Sequence, residues 1–215
     1  MISIDAILFD LDGTLVDSKK DIALSVHFLQ EKYGRPASSE DEIARFIGDG
    51  VSKLVERAIG RNDPEELAKA VDLFKDHYRA HALDTTYVYD GVRETLEHFR
   101  AKKMGVLTNK PVRISKRILE GLGLGDFFPV VLGGDSTVRK KPYPDGVVLA
   151  LQQLEVSNAQ DVLMVGDSAQ DVLAGRAAGT RTCGITSNIG DPGLLKRSTP
   201  DFTVHSLRDL MRIIN

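Results

Sequence analysis

The sequence predicts an α/β fold, in which a doubly wound parallel sheet forms the core and an all-helical domain is inserted after the first strand. Three observations lead to this prediction. Short apolar runs end on polar residues and glycine, helical patterns alternate with those runs, and one long stretch near the N-terminus carries helical patterns alone. Alternation of strands and helices is typical of parallel sheets.

Four apolar runs are the predicted core strands, at residues 6–9, 105–107, 130–132 and 162–165. Runs of this length without polar residues are typical of strands that are buried on both faces. Helical patterns occupy residues 91–102, 111–122, 145–154 and 169–178. This alternation predicts a Rossmann-like core, and such cores bind ligands beyond the carboxyl ends of their strands.

The stretch from residue 16 to residue 88 interrupts the alternation. Its patterns indicate helices only, at residues 19–33, 39–46, 51–59 and 64–82. Glycine, proline and asparagine mark turns between them. We therefore predict a helical cap domain at 16–88, and an α/β core formed by 1–15 and 89–215. The tail from residue 192 predicts a helix, an edge strand near 202–204 and a closing helix from Leu207.

Composition limits the classes of function. The 215 residues carry a formal net charge of −3, which does not indicate a nucleic-acid or membrane surface. No apolar run approaches the roughly 20 residues that span a bilayer, and residues 1–5 lack the basic start of a signal peptide. The single cysteine, Cys183, fits a reducing compartment. We expect a cytoplasmic monomer or homodimer that binds neither nucleic acid nor membranes.

The end of the first strand carries Asp10 and Asp12, followed by Gly13. Residues two apart on a strand point the same way, so both carboxylates can face one pocket. One carboxylate can attack phosphorus and form an acyl phosphate. The other can protonate the leaving oxygen and later take a proton from water. The alternative is an acidic turn that only ends the strand.

Two further strand ends carry groups suited to an anion. Thr108 and Asn109 can form a cradle for a phosphoryl group, or can simply cap the helix that follows. Lys141, in a proline-stiffened turn, can supply the positive charge that phosphoryl transfer requires, or can belong to a solvated basic loop. Taken alone, each of these two sites is explained better by the structural alternative.

Asp167 follows the fourth predicted strand, and Asp171 lies one helical turn later. Magnesium prefers a few carboxylates, water and the phosphate itself. Asp10, the Asp12 carbonyl and Asp167 provide such a set. Asp171 either supports this set or is a charge favoured at a helix start.

These motifs together resemble the haloacid dehalogenase-like hydrolase superfamily, and the resemblance extends over essentially the whole chain. The motifs are the segments 10–18, 108–111, 141–142 and 166–168 with Asp171. Within the superfamily the sequence is most similar to phosphoglycolate phosphatases, through segments 108–111, 133–136 and 48–58. The segment 184–188 departs from that group, because it lacks the expected aromatic, glycine-rich turn.

The resemblance implies a role for each matching residue. Asp10 would be the nucleophile and a ligand of Mg²⁺, and Asp12 would be the general acid and base and would give its carbonyl to the metal. The remaining residues fall into two groups: Thr108, Asn109 and Lys141 would hold and stabilise the phosphoryl group, and Asp167 with Asp171 would bind or support Mg²⁺. The cap would close over a small phosphorylated metabolite and select it.

Several alternatives remain open at this stage. A sugar-phosphate mutase of the β-phosphoglucomutase kind, or a pyrophosphatase, would use the same fold. A carbon–halogen hydrolase would need neither a metal nor a leaving-group acid, so Asp12 and Asp167 argue against it. A non-catalytic binding protein would not need the whole set of polar residues. Gly48 and Gly50 either form a loop that contacts the substrate or start the next helix.

Overall fold

The structure is a computed structural model, and it describes residues 1–186 and 189–215. Its strands are β1 (Ala6–Phe9), β2 (Val16–Asp17), β3 (Tyr87–Val88), β4 (Lys103–Leu107), β5 (Val130–Leu132), β6 (Val162–Gly166), β7 (Arg181–Ile185) and β8 (Phe202–Val204). Its α-helices are α1 (Lys19–Lys32), α2 (Glu40–Ala44), α3 (Val51–Ile59), α4 (Pro64–His81), α5 (Val92–His98), α6 (Val112–Gly121), α7 (Asp145–Gln153), α8 (Ala169–Ala177), α9 (Pro192–Arg197) and α10 (Leu210–Ile213). Among the described residues, no helix is both long and apolar enough to cross a membrane.

The described residues form a six-stranded sheet in the order β5-β4-β1-β6-β7-β8, and every pair of neighbouring strands is parallel. Strand β1 lies between β4 and β6, with Leu8 opposite Gly105 on one side and Met164 on the other. The chain winds outward from β1 to β5 and then crosses to β6. The switch point, where such sheets bind ligands, therefore lies beside the carboxyl end of β1.

The core strands are buried on both faces, as their apolar runs predict. In β1, Ile7 and Phe9 belong to one hydrophobic cluster, whereas Ala6 and Leu8 belong to a second. Because successive side chains of a strand point to opposite faces, the two clusters fill opposite sides of the sheet. The α/β fold class is thereby confirmed, and so are the helix, edge strand and closing helix of the tail.

Helices α1 to α4 lie within the stretch predicted as a cap, each within a few residues of its expected bounds. Their buried side chains, such as Val26 and Phe74, join the first hydrophobic cluster. The carboxylate of Asp21, at the start of α1, is fully buried and accepts hydrogen bonds from the backbone and hydroxyl groups of both Thr85 and Thr86. These bonds fasten α1 to the segment that follows α4.

The expectation of helices only in this stretch is wrong. Strands β2 and β3 pair antiparallel, with Val16 opposite Val88 and Asp17 opposite Tyr87. This pair forms where the chain leaves the sheet and where it returns. Strands of two residues are too short to produce a periodic pattern, so no sequence signal indicates them.

Candidate active site

The turn after β1 brings Asp10 and Asp12 to the switch point. The backbone N–H of Asp10 donates to the carbonyl of Val165 in β6, at 2.9 Å, which continues the sheet by one residue. Gly13 then adopts a φ of 82°, in the left-handed region that favours glycine. A Cβ at this position would overlap the carboxylate of Asp167. The glycine therefore allows the turn after β1 to touch the residue that follows β6.

Asp10 is buried beside the ammonium group of Lys141, whose Nζ lies 2.8 Å from Oδ1. This ammonium is the close partner of the buried Oδ1, and no other described group donates a hydrogen bond to that oxygen. Burial raises the pKa of Asp10 to about 6, and the carboxylate of Asp171 adds to the effect while Lys141 opposes it. A buried oxygen of this kind suits a nucleophile and a cation ligand.

Lys141 is anchored by three groups. Its ammonium donates to the Leu107 carbonyl at 2.8 Å and to Asp171 Oδ1 at 2.5 Å, in addition to its ion pair with Asp10. Burial would lower the pKa of Lys141, but Asp10 and Asp171 outweigh burial and raise the pKa above its ordinary value. Lys141 is therefore a fixed positive charge beside Asp10.

Asp10, Asp167 and Asp171 form a cluster in which one carboxylate oxygen of each lies within 4.8 Å of the others. Asp167 accepts hydrogen bonds from the backbone N–H groups of Ile189 and Gly190, at 3.1 and 2.7 Å. Burial, together with the charges of Asp10 and Asp171, raises the pKa of Asp167 well above its ordinary value. The site thus concentrates three carboxylates at one buried point.

The charges of the site fit a divalent cation. Asp10, Asp12, Asp167 and Asp171 supply four carboxylates, and within the described part of the chain two ammonium groups, those of Lys110 and Lys141, pair with them. One Mg²⁺ ion, with two positive charges, would balance this excess of two negative charges. Carboxylate oxygens are the ligands that this ion prefers. The buried Asp10 oxygen, whose one close described partner is Lys141, and the raised pKa of Asp167 are consistent with an ion at this position.

Asp171 combines the two roles that the sequence left open. Its Oδ2 accepts hydrogen bonds from the backbone N–H and the hydroxyl of Ser168, which completes a capping box at the start of α8. Its Oδ1 binds Lys141. Both oxygens therefore have protein partners, which favours a supporting role, and direct contact with a metal stays a prediction.

Asp12 is held by residues that sequence analysis did not single out. Its Oδ1 accepts a hydrogen bond from the Ser18 hydroxyl at 2.5 Å, and Lys110 Nζ lies 2.7 and 2.8 Å from its two carboxylate oxygens. Lys110 is buried and also donates to the hydroxyl of Tyr78, in α4, at 2.9 Å. The one sequence signal for Lys110 is that it directly follows the Thr108–Asn109 pair.

Thr108 and Asn109 lie at the end of β4, as predicted. The Thr108 hydroxyl oxygen accepts from the backbone N–H of Lys110, which leaves its hydrogen available to a ligand. The side-chain amide of Asn109 donates to the carbonyls of Gly48 and Lys141, at 2.8 and 3.0 Å. The Asn109 side chain thus joins the cap to the Lys141 turn, and its binding of a phosphoryl group stays a prediction.

The loop 48–50 is one part of the cap that contacts the core near the strand ends. Lys140 Nζ donates to the Asp49 carbonyl at 2.5 Å, and the Gln170 side chain donates to the Asp49 carboxylate at 2.6 Å. Gly50 is also the N-cap of α3, and Gly48 and Gly50 both line the cavity. Gly50 therefore starts the helix, and contact of this loop with the substrate stays a prediction.

A cavity lies between the cap and the core, with the predicted catalytic residues at its base. The core contributes Asp10, Asp12, Thr108, Asn109, Lys110, Lys141 and Asp167. The cap contributes mainly apolar side chains, among them Ile22, Phe46, Ile47, Val51, Leu54 and Phe74, together with Lys75 and Tyr78. The structure thus brings residues that follow four separate strands into the lining of one cavity.

The sequence profile of the haloacid dehalogenase-like hydrolase family matches residues 7–185. The chain belongs to this family. It is 37% identical to the phosphoglycolate phosphatase of Vibrio parahaemolyticus over 98% of this chain and 96% of that protein. It is also 37% identical to the phosphoglycolate phosphatase of Chromobacterium violaceum over 96% of this chain and 95% of that protein.

Solved structures of the family agree with this assignment. The crystal structure of a predicted phosphoglycolate phosphatase from Haemophilus somnus superimposes with a TM-score of 0.92 at 29% identity, over 99% of both chains. A haloacid dehalogenase-like hydrolase from Bacteroides fragilis superimposes with a TM-score of 0.90 at 25% identity, over 96% of this chain and 99% of that chain. The resemblance stated from the motifs is therefore confirmed. The departure in segment 184–188 includes residues 187 and 188, which lie outside the described residues.

Proposed function

We propose that this hydrolase is a Mg²⁺-dependent phosphatase that converts 2-phosphoglycolate to glycolate and phosphate through an aspartyl-phosphate on Asp10. The broader activity, hydrolysis of phosphoric monoesters, follows from its family and from its phosphatase relatives. The observation that carries the finer proposal is the pair of strand-end carboxylates. Asp10 is paired with Lys141, Asp12 with Lys110, and both line one cavity.

In the first step, a carboxylate oxygen of Asp10 attacks the phosphorus atom of the substrate. The bond between phosphorus and the ester oxygen breaks, and that oxygen receives a proton from Asp12, so glycolate leaves as an alcohol. The bond formed is the phosphorus–oxygen bond of an aspartyl-phosphate. The cap excludes bulk water from this step because its apolar side chains cover the cavity.

In the second step, a water molecule attacks the phosphorus of the aspartyl-phosphate. Asp12, now a carboxylate, takes a proton from this water. The bond between phosphorus and Asp10 breaks, which releases phosphate and regenerates the Asp10 carboxylate. The same side chain thus serves as acid and then as base, which its position beside Asp10 makes possible.

Charge is stabilised during both steps by groups that the fold fixes in advance. Lys141 places a buried ammonium beside Asp10, and the Thr108 hydroxyl and the backbone of Asn109 are suited to the phosphoryl oxygens. Mg²⁺ would be held by Asp10, the Asp12 carbonyl and Asp167, with Asp171 in support. When bound, this ion supplies positive charge to the phosphoryl oxygens.

The remaining parts of the proposal concern the whole protein. Residues 16–88 would act as the cap domain that selects the substrate, with 1–15 and 89–215 as the catalytic core. Phosphoglycolate is proposed because the similar curated proteins carry that name. We place the enzyme in the cytoplasm, as a monomer or homodimer, and its free, buried Cys183 is consistent with a reducing compartment.

The decisive experiment measures phosphate release from a panel of phosphate esters, with and without Mg²⁺, by wild type and by Asp10→Asn. We expect release from 2-phosphoglycolate that requires Mg²⁺ and falls at least about 1,000-fold in the variant. Release that survives in Asp10→Asn would contradict the covalent mechanism. Poor turnover of phosphoglycolate beside fast turnover of a sugar phosphate would contradict the substrate. Conversion between sugar phosphates with little free phosphate would instead indicate a mutase.

A further inference from the structure

We propose that Lys110, together with the hydroxyl of Tyr78, binds the carboxylate of the substrate's leaving group and so selects phosphomonoesters that carry an acid. This inference rests on the proposed function, because it concerns the substrate of the same site. The inference assigns substrate specificity to a core residue, Lys110, whose partner Tyr78 lies in the cap. Three observations support the proposal. They are the position of Lys110 beside Asp12, the apolar lining of the cavity, and the hydrogen-bond donor that the Tyr78 hydroxyl offers.

The position of Lys110 follows from its contact with Asp12. An acid that protonates the ester oxygen must touch that oxygen. In 2-phosphoglycolate only two covalent bonds separate the ester oxygen from the carbon of the carboxylate, so the carboxylate must lie beside Asp12. Lys110 Nζ is 2.7 and 2.8 Å from the two Asp12 oxygens and therefore lies in the same region of the cavity.

The wall of the cavity leaves few other places for a second negative charge. The cap side chains that line it are mostly aliphatic or aromatic, and an unpaired carboxylate against them would lose its hydration without compensation. Of the other lysines in the lining, Lys141 is enclosed by Asp10 and Asp171. Lys75 is partly exposed, with a weak ion pair to Asp72 at 3.7 Å. Lys110 is thus the buried cation best placed for the leaving group.

Tyr78 supplies a second donor at the same point. Burial raises its pKa to about 12, so the hydroxyl keeps its proton at neutral pH. The oxygen accepts from Lys110, and its hydrogen donates to no group among the described residues. Lys110 has three N–H groups, and its contacts with the two Asp12 oxygens and with Tyr78 use all of them. When Asp12 carries the proton that the first step requires, its protonated oxygen no longer accepts from Lys110. The substrate carboxylate then accepts that N–H together with the Tyr78 hydroxyl hydrogen. Because Tyr78 lies in α4 and Lys110 follows β4, the bound acid would join cap and core.

The test compares 2-phosphoglycolate with 2-hydroxyethyl phosphate, a neutral analogue of similar size, in the presence of Mg²⁺. The variants are Lys110→Met, which removes the charge, Lys110→Arg, which retains it, and Tyr78→Phe. We expect Lys110→Met to lower the ratio of kcat/KM for the two esters by about 10- to 100-fold. Lys110→Arg should restore much of the ratio. Inhibition by glycolate should weaken by a similar factor in Lys110→Met, which reports binding without turnover.

The matched control is Lys75→Met, which alters a lysine of the cap that also lines the cavity. It should change the ratio of kcat/KM for the two esters by less than about fivefold. Equal loss on both esters in Lys110→Met would overturn the inference, because Lys110 would then serve Asp12 alone. A change of ratio in Lys75→Met instead would also overturn it.

If Lys110→Met does not fold, an unchanged ratio and unchanged glycolate inhibition in Tyr78→Phe would be decisive against it. Wild type that hydrolyses the neutral ester well and phosphoglycolate poorly would overturn the inference but leave the phosphatase mechanism intact, whereas inactivity on every ester would contradict the proposed function itself.

Discussion

Gly13 shows how one residue without a side chain can shape a catalytic site. Its left-handed backbone and its contact with Asp167 both exclude a Cβ. The first requirement is local, because a glycine in a turn after a strand can adopt such a conformation without steric cost. The sequence could not predict the second, because Asp167 is distant in sequence and reaches Gly13 only through the pairing of β1 with β6.

The substitution Gly13→Ala should lower both stability and activity, because the new methyl group displaces Asp167. Gly34→Ala is the matched control, since Gly34 also has a positive φ, of 61°, but no atom near its Cβ position. We expect the control to lose about 1–2 kcal/mol of unfolding free energy from backbone strain alone, and Gly13→Ala to lose more. Urea unfolding and phosphate release measure the two effects. Equal losses of stability and full activity in both variants would contradict this account.

The carboxylate cluster predicts a dependence of stability on pH that Mg²⁺ should remove. The pKa of Asp10, about 6, lies above its ordinary value, so the folded protein binds this proton more tightly than the unfolded chain does. Its stabilisation is therefore complete at low pH and is lost as pH rises through about 6, and Asp167 acts in the same direction. The Tm without metal should fall between about pH 4 and pH 6, which are near the unfolded and folded pKa values of Asp10.

Added Mg²⁺ should raise the Tm most at the upper end of this range, where the carboxylates are ionised. At 100 times its Kd the ion would contribute about 2.7 kcal/mol. The substitution Asp167→Asn should abolish this gain, whereas Asp76→Asn, at an exposed carboxylate of α4, should retain it. Thermal scans with Mg²⁺ or with a chelator measure the difference. A gain from Mg²⁺ that is the same in all three proteins would show that the ion binds elsewhere.

At the scale of elements, the core was predictable because burial on both faces leaves a clear pattern. Strands β1, β4, β5 and β6 each contain an apolar run in the sequence, and the residues that form the site follow these runs along the chain. The rule that parallel strands place ligands at their carboxyl ends then brought these residues together. The antiparallel pair of β2 and β3 was not predictable from the sequence, because two residues cannot show a period.

Helix α1 illustrates an element that depends on a single buried charge. Hydrogen bonds from Thr85 and Thr86 hold the pKa of Asp21 below its ordinary value, although burial alone would raise it. Asp21→Ala should therefore lower the free energy of unfolding by about 3 kcal/mol. The stabilisation is present above the unfolded pKa and should be lost as pH falls through the lower folded value.

Asp41→Ala is a suitable control for this substitution, because Asp41 is an exposed acid in the first turn of α2. It should change the free energy of unfolding by less than about 1 kcal/mol. Urea unfolding at neutral pH measures both variants. Equal stability of Asp21→Ala and Asp41→Ala would mean that the hydrogen bonds to Asp21 do not support α1.

At the scale of the whole molecule, the contacts between cap and core were beyond prediction. Lys110 meets Tyr78, and Asp49 meets both Lys140 and Gln170, across long separations in sequence. Such pairs depend on how the helical block is placed over the sheet, which no local pattern specifies. The residues at the base of the site were predictable from strand ends, whereas those above it were not.

The loop 48–50 should control how firmly the cavity is closed. Asp49→Ala removes the hydrogen bond with Gln170 and the pairing with Arg57, at 2.5 Å. We expect kcat/KM to fall by about 10-fold, with faster hydrogen exchange in the loop, because a looser loop admits water to the site. Asp72→Ala, an exposed acid of α4, is the control and should alter neither. Slower exchange, or an unchanged kcat/KM, in Asp49→Ala would contradict this role.

The pairing of β2 with β3 has a consequence for protein engineering. The chain departs from the core at Asp17 and re-enters it at Tyr87, and these two residues are direct neighbours across a ladder. A replacement segment therefore has to start and finish at adjacent points, and it also has to cover the first hydrophobic cluster of the core. The helical block can therefore be exchanged as a unit between β2 and β3. Such an exchange would change the substrate preference while the catalytic sheet keeps its sequence.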